Sequence, residues 1–131
     1  MSSDFITIPY TAELQSKYAK FFNCGNFAID SFIRNSESLD VLFGTTYVCL
    51  SGDNILGFYN IGTGYVEDRS EMIPVRQGGS LYLNYFALDG KYQKVKATDK
   101  WYFSDWLFYD LLKRAEYIQE NSPKRAIHRA P

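Results

Sequence analysis

The pattern of apolar and polar positions changes period along the chain, and each change marks an element. Phe5-Ile6-Thr7-Ile8 alternates and stops at Pro9, which predicts a short opening strand. Thr11 is placed to cap a helix starting at Ala12, with Leu14, Tyr18, Phe21 and Phe22 on one face at helical spacing. Asn23-Cys24-Gly25-Asn26 breaks it. A second helix follows, with Phe27, Ile29, Phe32 and Ile33 apolar and Asp30 and Arg34 one turn apart on its polar side. Ser36 to Phe43 has room for a further helical turn before Gly44.

Thr45 to Leu50 is rich in β-branched and aromatic residues and reads as a strand. Ser51-Gly52-Asp53-Asn54 is its hairpin connection, and Ile55 to Val66 the returning strand. Gly57, Gly62 and Gly64 interrupt that strand; such glycines mark a bulge, the close approach of another group, or relief of twist. Glu67 to Gly79, with Pro74 and Gly78-Gly79, reads as a loop.

In Ser80–Gln93, Leu81, Leu83, Tyr85 and Ala87 alternate with Tyr82, Asn84, Phe86 and Leu88. Both sets are largely apolar, so the strand is expected to be buried on both faces, ending at the turn Asp89-Gly90. From Ser104 the spacing turns helical through Trp106, Leu107, Tyr109, Asp110, Leu111, Leu112, Ala115 and Ile118. Residues 118–131 are polar and proline-bounded and read as a flexible tail. The order β-α-α-β-β-β-α predicts one α/β domain over 1–131, an α+β mixed sheet organised around Ser80–Gln93.

Composition sharpens this in three places. Aromatic residues make up 18% of the 131, which suits a sheet with an aromatic core or a lined cleft. The sequence holds no apolar run able to span a bilayer and no charged-then-apolar leader, so no membrane association and a cytoplasmic location are expected. Cys24 and Cys49 have no metal-ligand spacing and the single histidine is His128 in the tail, so neither a metal site nor a Ser-His-Asp mechanism is predicted. Cys24 reads as a small packed residue or, less simply, as a nucleophile.

Charge is unevenly distributed. Up to Gly90 there are ten acidic and five basic residues; from Lys91 onward there are nine basic and five acidic. The basic excess lies at the turn after the strand and in the tail. A buried strand, a basic connection and then a helix is a layout with which α/β proteins hold phosphate at a helix N-terminus.

Four segments resemble one family. Phe22-Asn23-Cys24-Gly25 followed by Ile29-Asp30-Ser31-Phe32-Ile33-Arg34, Gly44-Thr45-Thr46-Tyr47-Val48, Gly57-Phe58-Tyr59-Asn60-Ile61, and Tyr85-Phe86-Ala87-Leu88-Asp89 with Lys91-Tyr92-Gln93 are similar, in this order, to segments of GNAT N-acetyltransferases of the toxin-like bacterial branch. The similarity covers about Phe21 to Tyr117.

What the resemblance implies is transfer of an acetyl group from acetyl-CoA to a primary amine, on a small molecule or an aminoacyl-tRNA, with an antitoxin as a possible partner. It implies that amides of Phe86, Ala87 and Leu88 polarise the thioester carbonyl. Gln93, Lys94, Lys96 and a helix capped by Ser104 would hold the pyrophosphate. Tyr59, Tyr82 and Asn84, on or beside the cleft strands, are the candidates to orient the amine or relay a proton; Tyr85 is a further candidate. Glu67, Asp68 and Glu71 would form an acidic rim for a cationic amine, or only a solvated loop.

The chain departs from the family pattern twice. Gln93-Lys94-Val95-Lys96-Ala97-Thr98-Asp99-Lys100 has no glycine where the pyrophosphate loop needs close backbone approach. The strands and helix that follow in the family have no counterpart after Tyr117, so the chain reads as lacking the last strands. The second reading is therefore a catalytically inactive GNAT-like module for binding or oligomerisation, with a homodimer formed through an exposed 81–88 edge.

Overall fold

A computed structural model describes residues 5–63, 70–73 and 80–121. Five strands form one sheet in the order β1-β2-β3-β5-β4, with β1 Ile8–Pro9, β2 Thr45–Ser51, β3 Asn54–Gly62, β4 Glu71–Ile73 and β5 Leu81–Leu88. All pairings among the described residues are antiparallel. The α+β class predicted from the sequence therefore forms, without a parallel pair among these strands. Helices α1 Ala12–Tyr18 and α2 Phe27–Arg34 cover one face of the sheet, and α3 Phe103–Asn121 covers the other.

Both faces of the central strands are buried, which is why their sequences are apolar in both registers. On the α1/α2 side, Phe22, Phe32, Ile33, Val48, Phe58, Tyr85 and Ala87 pack together. Phe32 stacks on Tyr85 with ring centroids 3.9 Å apart. On the α3 side, Leu56, Tyr59, Ile61, Leu81 and Leu88 meet Leu107, Leu111 and Ala115. The last three recur at i, i+4 and i+8, the buried stripe of an amphipathic helix.

Two register shifts set which residue faces which core. The first falls between Cys49 and Leu50, opposite Leu56. Beside it, Gly57 faces α3: a Cβ there would lie 2.9 Å from the Ala87 carbonyl oxygen and 3.1 Å from Leu107 Cδ2. Close approach of helix and strand thus explains this glycine. The second shift leaves Asn84 as the extra residue between the pairs Ile61–Leu83 and Asn60–Tyr85. It changes the phase of alternation, so Leu81 and Leu83 join Phe86 and Leu88 on the α3 side while Tyr85 and Ala87 face α2. The simple alternation of the sequence places 81, 83, 85 and 87 together; the bulge divides them.

Other boundaries also differ. The opening strand is Ile8–Pro9 rather than 5–8, because pairing with Tyr47 and Val48 starts there. The segment read as a loop over 67–79 contains β4, whose Glu71, Met72 and Ile73 pair with Leu83, Tyr82 and Leu81. Strand β5 is consequently not an open edge along its length, as the homodimer expectation required; only 84–88 continue beyond the described β4 ladder. Residues 118–121, assigned to a tail, complete α3, where Ile118 packs on the core and Gln119 is buried. The predicted strand end at 64–66, Glu67, Asp68, Pro74, Gly78-Gly79 and the tail from 122, with His128, lie outside the described residues. No helix among the described residues is long and apolar enough to cross a membrane.

Leu107, fully buried against Gly57, joins α3 to the middle of the sheet. Leu107→Ala is expected to lower stability by about 2–5 kcal/mol, read as a fall in the urea midpoint with little change in slope.

Candidate functional site

The end of β5 is tied to the segment before α2 by side chains from both. The buried Asp89 carboxylate accepts the Asn23 N–H through Oδ1 at 3.0 Å and the Lys91 N–H through Oδ2 at 3.0 Å. Lys91 Nζ lies 3.1 Å from the same Oδ2. The Gln93 carboxamide donates to the carbonyls of Cys24 and Leu88, both at 2.8 Å. Gly90 N–H returns a bond to the Asn23 carbonyl at 2.8 Å. On the helix side, Asp30 Oδ1 accepts the Cys24 N–H at 2.9 Å, and Asn26 caps α2 by accepting from Ile29 N–H. Gly25 sits at φ +93°, which favours glycine in this tight turn.

Burial pushes the Asp89 carboxyl upward, and its bonds from the Lys91 and Asn23 amides and the Lys91 ammonium outweigh that, leaving it below the usual carboxylate range. Burial raises the Cys24 thiol and pushes Cys49 up to about 12. Both therefore stay protonated near neutral pH, which removes the signature of a cysteine nucleophile.

This joint sets α2 beside the outer edge of β5. Asp89 N–H donates to the Leu56 carbonyl at 2.9 Å, and the Ala87 carbonyl is turned toward Gly57, so the backbone groups of 87 and 89 face β3. Alternation turns those of Phe86 and Leu88 to the other edge. The Leu88 carbonyl is found there, bonded to Gln93. Of the three amides the resemblance singles out, Phe86 and Leu88 face outward and Ala87 pairs inward.

A cleft of about 490 Å³ runs along this edge, lined by Asn26, Ile29, Glu71, Leu83, Asn84, Phe86 and Phe108. It lies between α2, β4 and α3. Phe86 and Phe108 meet edge to face with centroids 6.0 Å apart. Asn84 is 2% exposed, and its carboxamide accepts from Ser70 Oγ at 2.6 Å and donates to Asn60 Oδ1 at 2.9 Å and to the Phe43 carbonyl. Asn60 continues to Thr46, and Thr46 to the Ser38 carbonyl. A hydrogen-bonded chain thus crosses β5, β3 and β2 and holds the bulge in place.

The remaining predicted site residues are dispersed. Tyr59 is fully buried on the α3 side. Its hydroxyl donates to Asp110 Oδ2 at 2.5 Å and accepts from Arg114 Nε at 3.0 Å, with Thr7 bonded to Asp110 and Arg114. Burial first, and then the Asp110 carboxylate, raise the phenol well above its ordinary range. A phenol committed in this way braces α3 and is not among the described lining residues of the cleft. Tyr82 is half-buried within β5, paired opposite Gly62 and Met72, and is not among the described lining residues. Tyr85 is buried against Phe32 on the α2 side of the sheet.

The segment after Gln93 closes on itself. Amides of Ala97 and Thr98 donate to the Trp101 carbonyl, those of Lys100 and Trp101 to Thr98 Oγ1, and that of Phe103 to the Val95 carbonyl. These N–H groups are occupied and do not form a phosphate cradle. Ser104 is the second residue of α3 rather than its cap; Asp105 accepts the Tyr102 N–H and puts a carboxylate at the helix N-terminus. Lys96 lies over the Tyr102 ring, while Lys94 is exposed and the one described non-glycine residue at positive φ. Phe86 and Leu88 thus face outward as the resemblance requires of two of its three amides, and the 94–105 segment does not offer a pyrophosphate the free amides the resemblance implies.

Asn26, Ile29 and Phe108 enter the site without a sequence signal, because their role arises from the placement of two helices at one edge. Glu71 is the member of the acidic rim that the structure brings to the cleft. No group of three or more His, Cys, Asp or Glu among the described residues could hold a metal ion. No family model matches the chain, and no curated protein matches it.

Asp89 supplies a pH test. A carboxyl held below its unfolded value stabilises the fold above about pH 3.9, and that contribution is lost as pH falls through the lower folded value. Asp89→Asn is expected to cost about 1–3 kcal/mol near neutral pH and to flatten the loss of stability below about pH 4, measured by urea denaturation across pH.

Proposed function

We propose that the cleft beside β5 is the acyl-transfer site of an acetyl-CoA-dependent N-acetyltransferase of the GNAT type, acting on a primary amine. The observation that carries this is the outer edge of β5, where the backbone of Phe86 faces a cleft that Glu71 borders and that of Leu88 continues the same edge beside Gln93. In such a transfer a nitrogen–carbon bond forms, the carbon–sulfur bond breaks, and a proton passes from nitrogen to sulfur. Outward amides of Phe86 and Leu88 would stabilise the developing oxyanion; the apolar walls of Ile29 and Phe108 would keep water from it. The order of elements and the four similar segments support the same reading.

A second reading has its own support: a GNAT-like module that binds a ligand without transferring an acyl group. The internally bonded amides of 97–103 and the carboxylate of Asp105 at the start of α3 favour it. Calorimetry and thermal shift with acetyl-CoA, together with release of free CoA thiol in the presence of amines, separate the two. The transferase reading predicts saturable binding below millimolar concentration and thiol release that needs an amine. Absence of heat and of thermal shift at millimolar acetyl-CoA leaves the binding module.

A further inference from the structure

We propose that the cleft takes a hydrophobic primary amine, held as its ammonium by Glu71 with its apolar body against Ile29, Leu83, Phe86 and Phe108. This names the acceptor class of the transfer reading and rests on it for the chemistry, in which the bound ammonium first gives one proton to bulk water and the free amine then attacks, although binding itself requires no acetyl-CoA. Several polar side-chain atoms of the lining are already committed within the fold. Asn26 Oδ1 caps α2, and the Asn84 carboxamide is satisfied by Ser70, Asn60 and Phe43. Neither is aimed at a ligand.

Three groups remain: the neutral Asn26 Nδ2 amino group, the Glu71 carboxylate and the outward backbone of Phe86, and of these Glu71 alone is charged. Glu71 is exposed on β4, it is the one charged residue among the described lining residues, and no described basic side chain pairs with it. A carboxylate and a carbonyl accept hydrogen bonds, and an ammonium offers three donors to them. An anionic ligand would instead meet like charge with no cation in the described lining to offset it. The rest of the wall is aliphatic and aromatic, and a cleft of about 490 Å³ is of a size for a small molecule. A strongly hydrated polyamine would leave that apolar wall uncovered, whereas an arylalkylamine covers it and places its nitrogen at the rim.

Amide-resolved NMR titration of the full chain tests this with 2-phenylethylamine, 3-phenylpropionate and ethanolamine as probes. Phenylethylamine is expected to shift the Ile29, Phe86 and Phe108 amides saturably, with the carboxylate and the hydrophilic amine binding more weakly. Glu71→Gln, on an exposed side chain, should keep the spectrum of the fold and weaken phenylethylamine about three- to fivefold. Phe108→Ala should weaken it as well without changing the preference for amine over carboxylate. Equal binding of the amine and carboxylate probes, an unchanged affinity in Glu71→Gln, or shifts mapping outside the cleft would overturn the proposal. Failure of acetyl-CoA to bind while the amine binds would remove the transfer reading and leave this one.

Discussion

The arrangement of the molecule depends on one joint, the buried Asp89 carboxylate and the neighbouring Gln93 carboxamide gripping the backbone of Asn23 and Cys24. These two side chains hold the C-terminal end of β5 against the N-terminal end of α2, a connection between residues far apart in sequence. Buried backbone groups need partners, and here the partners are the side chains of the opposite segment. Asp30 extends the joint into α2 by accepting the Cys24 amide. Everything at the cleft follows: with α2 fixed there, Asn26 and Ile29 form one wall, α3 supplies Phe108 as another, and the outer backbone of Phe86 lies between them.

The joint also accounts for several residues that stand out in the sequence. Asn23-Cys24-Gly25, Asp30, Asp89 and Gln93 stand out as a motif in the linear chain, and a motif invites a chemical reading. In the fold they bond to one another. Their role is to position an edge, while the cleft itself is lined by the Phe86 backbone and Glu71, which the sequence offers as candidates, and by Asn26, Ile29 and Phe108, which it does not.

The α+β class, all three helices and the hairpin β2–β3 are legible because their apolar periodicity is strong and their boundaries are local: Thr11 caps α1 as its residue type predicts, and the Asn23–Asn26 break ends in the residue that caps α2. What was not legible arises from tertiary pairing. The extra residue at Asn84 cannot be seen in an alternating apolar run, yet it divides Leu81 and Leu83 from Tyr85 and Ala87 between two cores. Strand β4 is three residues in a polar stretch, and its pairing to β5 is a long-range event. Tyr59, on a strand whose alternation does not show which face carries function, is drawn into a buried network with Thr7, Asp110 and Arg114 because α3 packs across it. The resemblance gives Gln93 to a pyrophosphate loop and Ser104 to the cap of the helix after it; Gln93 is spent on the Cys24 and Leu88 carbonyls, and Ser104 lies inside the first turn of α3.

The account rests on the direction of four consecutive backbone amides in β5 and the turn after it. Hydrogen exchange resolved by residue measures that direction without any ligand. Ala87 and Asp89, turned toward β3, should be strongly protected, while Phe86 and Leu88, turned to the outer edge of β5, should exchange orders of magnitude faster. Uniform protection from Phe86 to Asp89 would mean that the outer edge is covered, and the cleft would then have no exposed backbone with which to act.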